Sequence, residues 1–134
     1  MDLLADTTFL IDLWREQRKA GPATTFAGER ADLTLGLPWI VAGEFLGGGV
    51  IAGHDEAVLR RFLAPYPAVH STDAVVAAYA RLFAHVRRQG LAAGPNDLWI
   101  AACAAALDVP LVTRNARDFA GLPGLRIVTY VTQV

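Results

Sequence analysis

Apolar residues fall along this chain in short blocks that switch between an unbroken and a helical rhythm. Residues 2–5 (DLLA) are a brief apolar run that reaches Asp6, the pattern of a short buried strand with an acid at its carboxyl end. Phe9, Leu10, Leu13 and Trp14 then share one face of a helix over Thr8–Lys19, which Gly21-Pro22 closes. A weaker helical pattern covers Thr25–Ala31, and Leu33–Leu37 reads as a second strand ended by Pro38. Trp39–Leu46 begins a helix whose one acid is Glu44, and Gly47-Gly48-Gly49 is expected to loosen or end it. Asp55–Leu63 is amphipathic, with Val58, Leu59, Phe62 and Leu63 inward and Arg60-Arg61 outward. Pro65 and Pro67 mark a turn before a marginal strand at Ala68–His70.

The second half repeats the alternation. Ser71-Thr72-Asp73 starts a long helix over Ala74–Gln89, with Arg87-Arg88 in its last turn and Gly90 as its stop. Gly94-Pro95 opens an Ala-rich helix that starts at or beside Asp97 and places Trp99, Ile100, Cys103, Ala104 and Leu107 at helical spacing. Val109–Thr113 is a short apolar strand, Arg114–Phe119 a polar turn, Gly121–Gly124 another turn, and Leu125–Tyr130 a last strand. Helices alternating with strands of buried, non-alternating character predict an α/β fold: a single domain over 1–134 with a central, mostly parallel sheet of four to five short strands flanked by helices.

Composition narrows the class. An apolar fraction of 54% with 19% charged residues describes a globular chain rather than a disordered one. No apolar run approaches the roughly 20 residues that span a bilayer, and the acidic N-terminus does not look like a signal peptide. No membrane role is therefore expected, and a cytoplasmic location is the default. Cys103, the one cysteine, reads as a small core residue. The net charge of −1 gives no global cationic field for nucleic acid, although eleven of the twelve basic residues are arginine, which suits forked bonds to phosphate.

Four acids fall at the carboxyl ends of the expected strands or at the starts of the helices that follow them. These are Asp6, Glu44, Asp97 and Asp118. Open parallel sheets bind ligands at that edge. Crowded carboxylates repel unless a cation neutralises them, and an all-oxygen set suits Mg²⁺ or Mn²⁺. His54, His70 and His85 lie in separate segments with no zinc-type spacing. Taken alone, Asp97 reads equally as a helix-start acid and Asp118 as a surface partner of Arg114 and Arg117.

The phrases Asn96-Asp97-Leu98-Trp99-Ile100-Ala101-Ala102 and Leu111-Val112-Thr113-Arg114-Asn115-Ala116-Arg117-Asp118-Phe119, the latter followed by Leu122-Pro123-Gly124-Leu125, together with Asp6-Thr7-Thr8 and Glu44, resemble a PIN domain. The resemblance covers essentially the whole chain and is sharpest toward the VapC-type toxins of toxin–antitoxin pairs. It implies a PIN-like three-layer sandwich and a metal-dependent endoribonuclease. Asp6, Glu44, Asp97 and Asp118 would hold Mg²⁺ or Mn²⁺, with Asn115 as an alternative to Asp118. Thr7 and Thr113 would support the carboxylates, and Arg114 and Arg117 border the site as phosphate contacts. The partners implied are an RNA substrate, a cognate antitoxin protein and a second copy of the chain in a homodimer. The alternative is a PIN-like scaffold that binds RNA or protein without catalysis. A haloacid-dehalogenase-like phosphatase would need a second Asp where Thr8 stands, and a receiver domain would need paired acids and a late lysine that the chain lacks.

Overall fold

Leu3–Ala5 (β1), three consecutive buried residues, is the middle strand of the sheet. In the computed structural model, which describes residues 1–131, it pairs in parallel with Leu35–Pro38 (β2) on one side and Leu111–Val112 (β4) on the other. Leu4 stands opposite Gly36 and Leu111, and Ala5 opposite Val112. Ala68–Val69 (β3) lies beyond β2 and Ile127–Val128 (β5) beyond β4, giving the all-parallel order β3-β2-β1-β4-β5. The last three residues of the expected domain, 132–134, lie outside the described residues.

Six helices connect these strands: Thr7–Arg15 (α1), Pro22–Glu29 (α2), Trp39–Ile51 (α3), Glu56–Leu63 (α4), Asp73–Gln89 (α5) and Pro95–Leu107 (α6). The chain walks outward from β1 to β3, then crosses back through α5 and α6 to lay β4 against the free side of β1. The connections leaving β1 and β4 therefore diverge, which opens a crevice beyond their carboxyl ends. None of these helices, among the described residues, is long and apolar enough to cross a membrane.

Several boundaries differ from the sequence expectation for physical reasons. Helix α1 starts at Thr7 because the Asp6 side chain caps it, and it ends at Arg15 rather than Lys19. Helix α2 starts at Pro22, suited to a first helical turn, and Glu16 reaches across to accept its Ala23 and Thr24 N–H groups. Two strands are shorter than their apolar runs, since only Leu111–Val112 and Ile127–Val128 find a ladder. The expected polar turn contains a 3₁₀ turn at Ala116–Phe119. Helix α6 is buried well beyond one stripe: Leu98 and every residue from Ile100 to Ala104 are buried, while Leu107 is exposed.

The triple glycine does not end α3. The helix runs through it to Ile51. A Cβ on Gly49 would lie 2.6 Å from Cδ1 of Leu59, a fully buried residue of α4, so glycine there is the condition for α3 and α4 to pack. A Cβ on Gly47 would meet nothing within 4 Å. Opposite effects follow from these neighbouring positions. Gly49→Ala is expected to destabilise the fold by about 1–3 kcal/mol through overpacking. Gly47→Ala should stabilise it by about 0.5–1 kcal/mol through helix propensity. Equilibrium urea unfolding reads both, and equal effects at the two positions would contradict the packing argument.

Candidate active site

The carboxylate of Asp6 is at the carboxyl end of β1, 4% exposed, between α1 and β4. Its Oδ1 accepts the Thr7 backbone N–H at 2.7 Å, and its Oδ2 accepts the hydroxyls of Thr113 at 2.7 Å and Thr8 at 3.1 Å. Each threonine has one proton to give, and both go to Asp6. The hydroxyl lone pairs take backbone N–H groups from the chain leaving β4, Asn115 onto Thr113 at 3.0 Å and Arg114 onto Thr8 at 3.1 Å. The hydroxyls lie 3.4 Å from each other, a contact for which neither has a second proton. With about four lone-pair sites on a carboxylate, three are filled from the described residues and one on Oδ1 is left for a further partner.

Around this anchor the structure brings the other expected acids. Glu44, exposed on α3, accepts the Thr7 hydroxyl at 2.9 Å, so consecutive threonines serve two different carboxylates. Asp97 stands in the first turn of α6, half-buried, and that helix carries no side-chain cap, so the carboxylate is not used as one. Asp118 is exposed on the 3₁₀ turn after β4, and Asn115 immediately precedes that turn. Arg117 is exposed on the same turn. Arg114 is placed differently from a simple phosphate contact, because its Nη1 donates to both oxygens of Asp12 at 2.9 and 3.2 Å.

Electrostatics reports the convergence of the acids. Burial, and then the negative charges of Asp6, Asp118 and Glu44, raise the Asp97 pKa from its ordinary 3.8 to about 6. Among the described residues, no three acidic, histidine or cysteine side chains stand together closely enough to hold a metal ion as they are placed. The donor set still fits a hard divalent cation: it is all oxygen, it is mutually repulsive, and Asp6 keeps an open lone pair.

A comparison with known families places residues 3–125 in one model, the PIN domain. The chain belongs to the PIN-domain family. Among curated proteins, this PIN domain is 31% identical to Ribonuclease VapC4 of Mycobacterium tuberculosis over 94% of its own length and 95% of the relative's. It is 28% identical to Ribonuclease VapC1 of Methanocaldococcus jannaschii, over 93% of the chain and 85% of the relative. Among solved structures it superposes on a toxin–antitoxin complex from Klebsiella pneumoniae with a TM-score of 0.76 at 27% identity, covering 98% of this chain and 100% of that one. VapBC2 from Rickettsia felis bound to a promoter DNA fragment gives 0.83 at 22% identity, with 98% and 100% covered.

Two residues of this PIN domain that contact the site or its loop were not singled out in the sequence. In the sequence Thr8 is one of two adjacent threonines at a helix start, and Asp12 is a single acid within a helix. Their partners lie 106 and 102 residues away, and helical periodicity carries no signal for such bonds.

The raised Asp97 pKa sets a pH dependence. The metal-free folded state holds the proton on Asp97 more tightly than the unfolded chain does. Its stability from this group is therefore full below about pH 4 and declines as pH rises toward 6. In chelator, Asp97→Asn should raise Tm by a few degrees at pH 7–8, with the gain vanishing near pH 4. A Tm difference that ignores pH would mean the other three acids do not act on Asp97.

Proposed function

We infer that this PIN domain is the ribonuclease toxin of a toxin–antitoxin pair, a Mg²⁺- or Mn²⁺-dependent endoribonuclease. One observation carries the reading: acids from the end of β1, from α3 and from the 3₁₀ turn all lie near enough for their charges to act on Asp97 of α6. The ribonuclease names of the curated relatives and the toxin–antitoxin assembly of the Klebsiella neighbour support it.

The bound ion would supply the chemistry that lowers the pKa of a coordinated water and neutralises charge on a phosphodiester. The chain does the rest. Asp6 is held rigid by three hydrogen bonds, so its open oxygen is aimed before any substrate arrives. Asp97, whose pKa burial and the neighbouring acids raise to about 6, would be held in its charged form by a bound cation. Glu44 and Asp118, both exposed, are the acids with freedom to move toward the ion or to orient a water. Arg117, exposed beside Asp118, is the cation placed for an RNA phosphate, whereas the Arg114 guanidinium is engaged by Asp12. Water as nucleophile makes no demand on the ribose 2′-hydroxyl, so cleavage should leave a 5′-phosphate and a 3′-hydroxyl. The assembly implied is a homodimer bound by a cognate antitoxin that covers the acids, in a cytoplasmic setting.

Asp6→Asn and Asp97→Asn are expected to lower RNA cleavage by about a hundredfold or more while circular dichroism reports a folded chain. EDTA should stop the wild type, and Mn²⁺ or Mg²⁺ should restore it. Cleavage that persists in chelator, or in both variants, would remove the acidic cluster from the chemistry.

A further inference from the structure

Asp12 is a residue that the chemistry above leaves unused, yet this one acid of α1 accepts three hydrogen bonds. Its side chain is 13% exposed. Besides the two bonds from Arg114, its Oδ2 accepts the Tyr130 hydroxyl at 2.6 Å. The ring of Tyr130 is fixed in turn, edge-on to Phe9 at 4.9 Å and within 6.2 Å of Phe26. Burial and then the Asp12 bond raise the phenol pKa, so the hydroxyl remains a donor throughout the working range of pH.

The position of this cluster gives it a purpose. Arg114 is the first residue after Thr113, and its backbone N–H, with that of Asn115, sets the direction of the two hydroxyls on Asp6. We propose that Asp12 and Tyr130 are positioning residues: by gripping the Arg114 side chain they fix the backbone leaving β4, and through it aim Thr8, Thr113 and the open oxygen of Asp6 at the cation. Its consequence for catalysis rests on the nuclease reading. The geometric step does not. A partly exposed ion pair contributes little to global stability, so its main effect is local orientation. Residues that orient metal-binding groups from behind typically change metal affinity or activity 10–100-fold when removed.

The test uses the full chain and three variants: Asp12→Asn, Tyr130→Phe, and Arg126→Ala as a structural control. Tyr130→Phe keeps the ring packing and deletes one hydroxyl, so it carries the test if Asp12→Asn folds poorly. Arg126 pairs with Asp108 and lies just before β5, whereas Tyr130 lies just after it, so its loss perturbs the same edge strand without touching Asp6. Mn²⁺ binding is measured by electron paramagnetic resonance without RNA, alongside Tm and, with RNA, kcat and KM. Asp12→Asn is expected to weaken Mn²⁺ binding about tenfold and Tyr130→Phe several-fold, with kcat falling in parallel and KM within about twofold. Arg126→Ala should shift Tm alone. Mn²⁺ affinity and kcat unchanged in Tyr130→Phe and Asp12→Asn would overturn the positioning role. If the variants lose Mn²⁺ but no form of the chain cleaves RNA, the tether stands and the nuclease reading falls.

Discussion

Everything at the carboxyl edge of the sheet depends on keeping one carboxylate charged where water hardly reaches it. A buried carboxylate without partners costs several kcal/mol, and it is tolerated only when its oxygens are satisfied. Asp6 is satisfied by the first N–H of α1 and by two threonines, one of which immediately follows β4. That last contact requires β1 and β4 to be neighbours, although 107 residues separate Asp6 from Thr113. The long return through α5 and α6 delivers this adjacency. Sheet order and site are thus one constraint rather than two.

Surplus negative charge is the second feature of the edge. Among the described residues, every ion pair lies elsewhere: Arg30 with Glu29, Arg60 with Glu56, Arg126 with Asp108, and Arg114 with Asp12. Arg114, which follows Thr113 at the end of β4, is therefore drawn off by an acid that belongs to none of the cluster. Among the described residues, none of these ion pairs involves Asp6, Glu44, Asp97 or Asp118, and burial together with the charges of the other three raises the Asp97 pKa. A fold selected only for stability would place arginine among them. Here the local rule against crowded like charge is broken, which is where function is expected to override stability.

How far this was readable from the sequence depends on the range of the interaction concerned. The apolar run before Asp6, the periodicity of α5 and the Gly-Pro opening of α6 are local signals, and those elements lie where the pattern put them. The end of α3 was misread because glycine is a helix breaker only by propensity, about 1 kcal/mol, and Gly49 leaves the space into which Leu59 of α4 packs. The acids could be listed in advance, since Asp6 and Asp118 follow strands, Asp97 opens a helix and Glu44 lies in the helix after β2. What joins them could not. The bond from Thr113 to Asp6, the choice between Thr7 and Thr8, and the pairing of Asp12 with Arg114 are side-chain events across more than a hundred residues or within one helical turn.

The shortness of β4 explains why so much of the site rests on side chains. Two residues supply few ladder bonds: Leu4 N–H reaches Pro110 at 2.9 Å, Asp6 N–H reaches Val112 at 2.9 Å, and Thr113 N–H reaches Val128 at 3.0 Å. Beyond Thr113 the sheet no longer dictates the path of the chain, yet Asn115 and Asp118 lie on that path. The threonine hydroxyls therefore extend the pairing of β1 and β4 past the last backbone bond, substituting side-chain oxygens for carbonyls. A longer β4 would carry Arg114 and Asn115 onward as strand and send the acid-bearing turn away from Asp6. Stopping the strand early and continuing it with hydroxyls is what folds that turn back over the crevice.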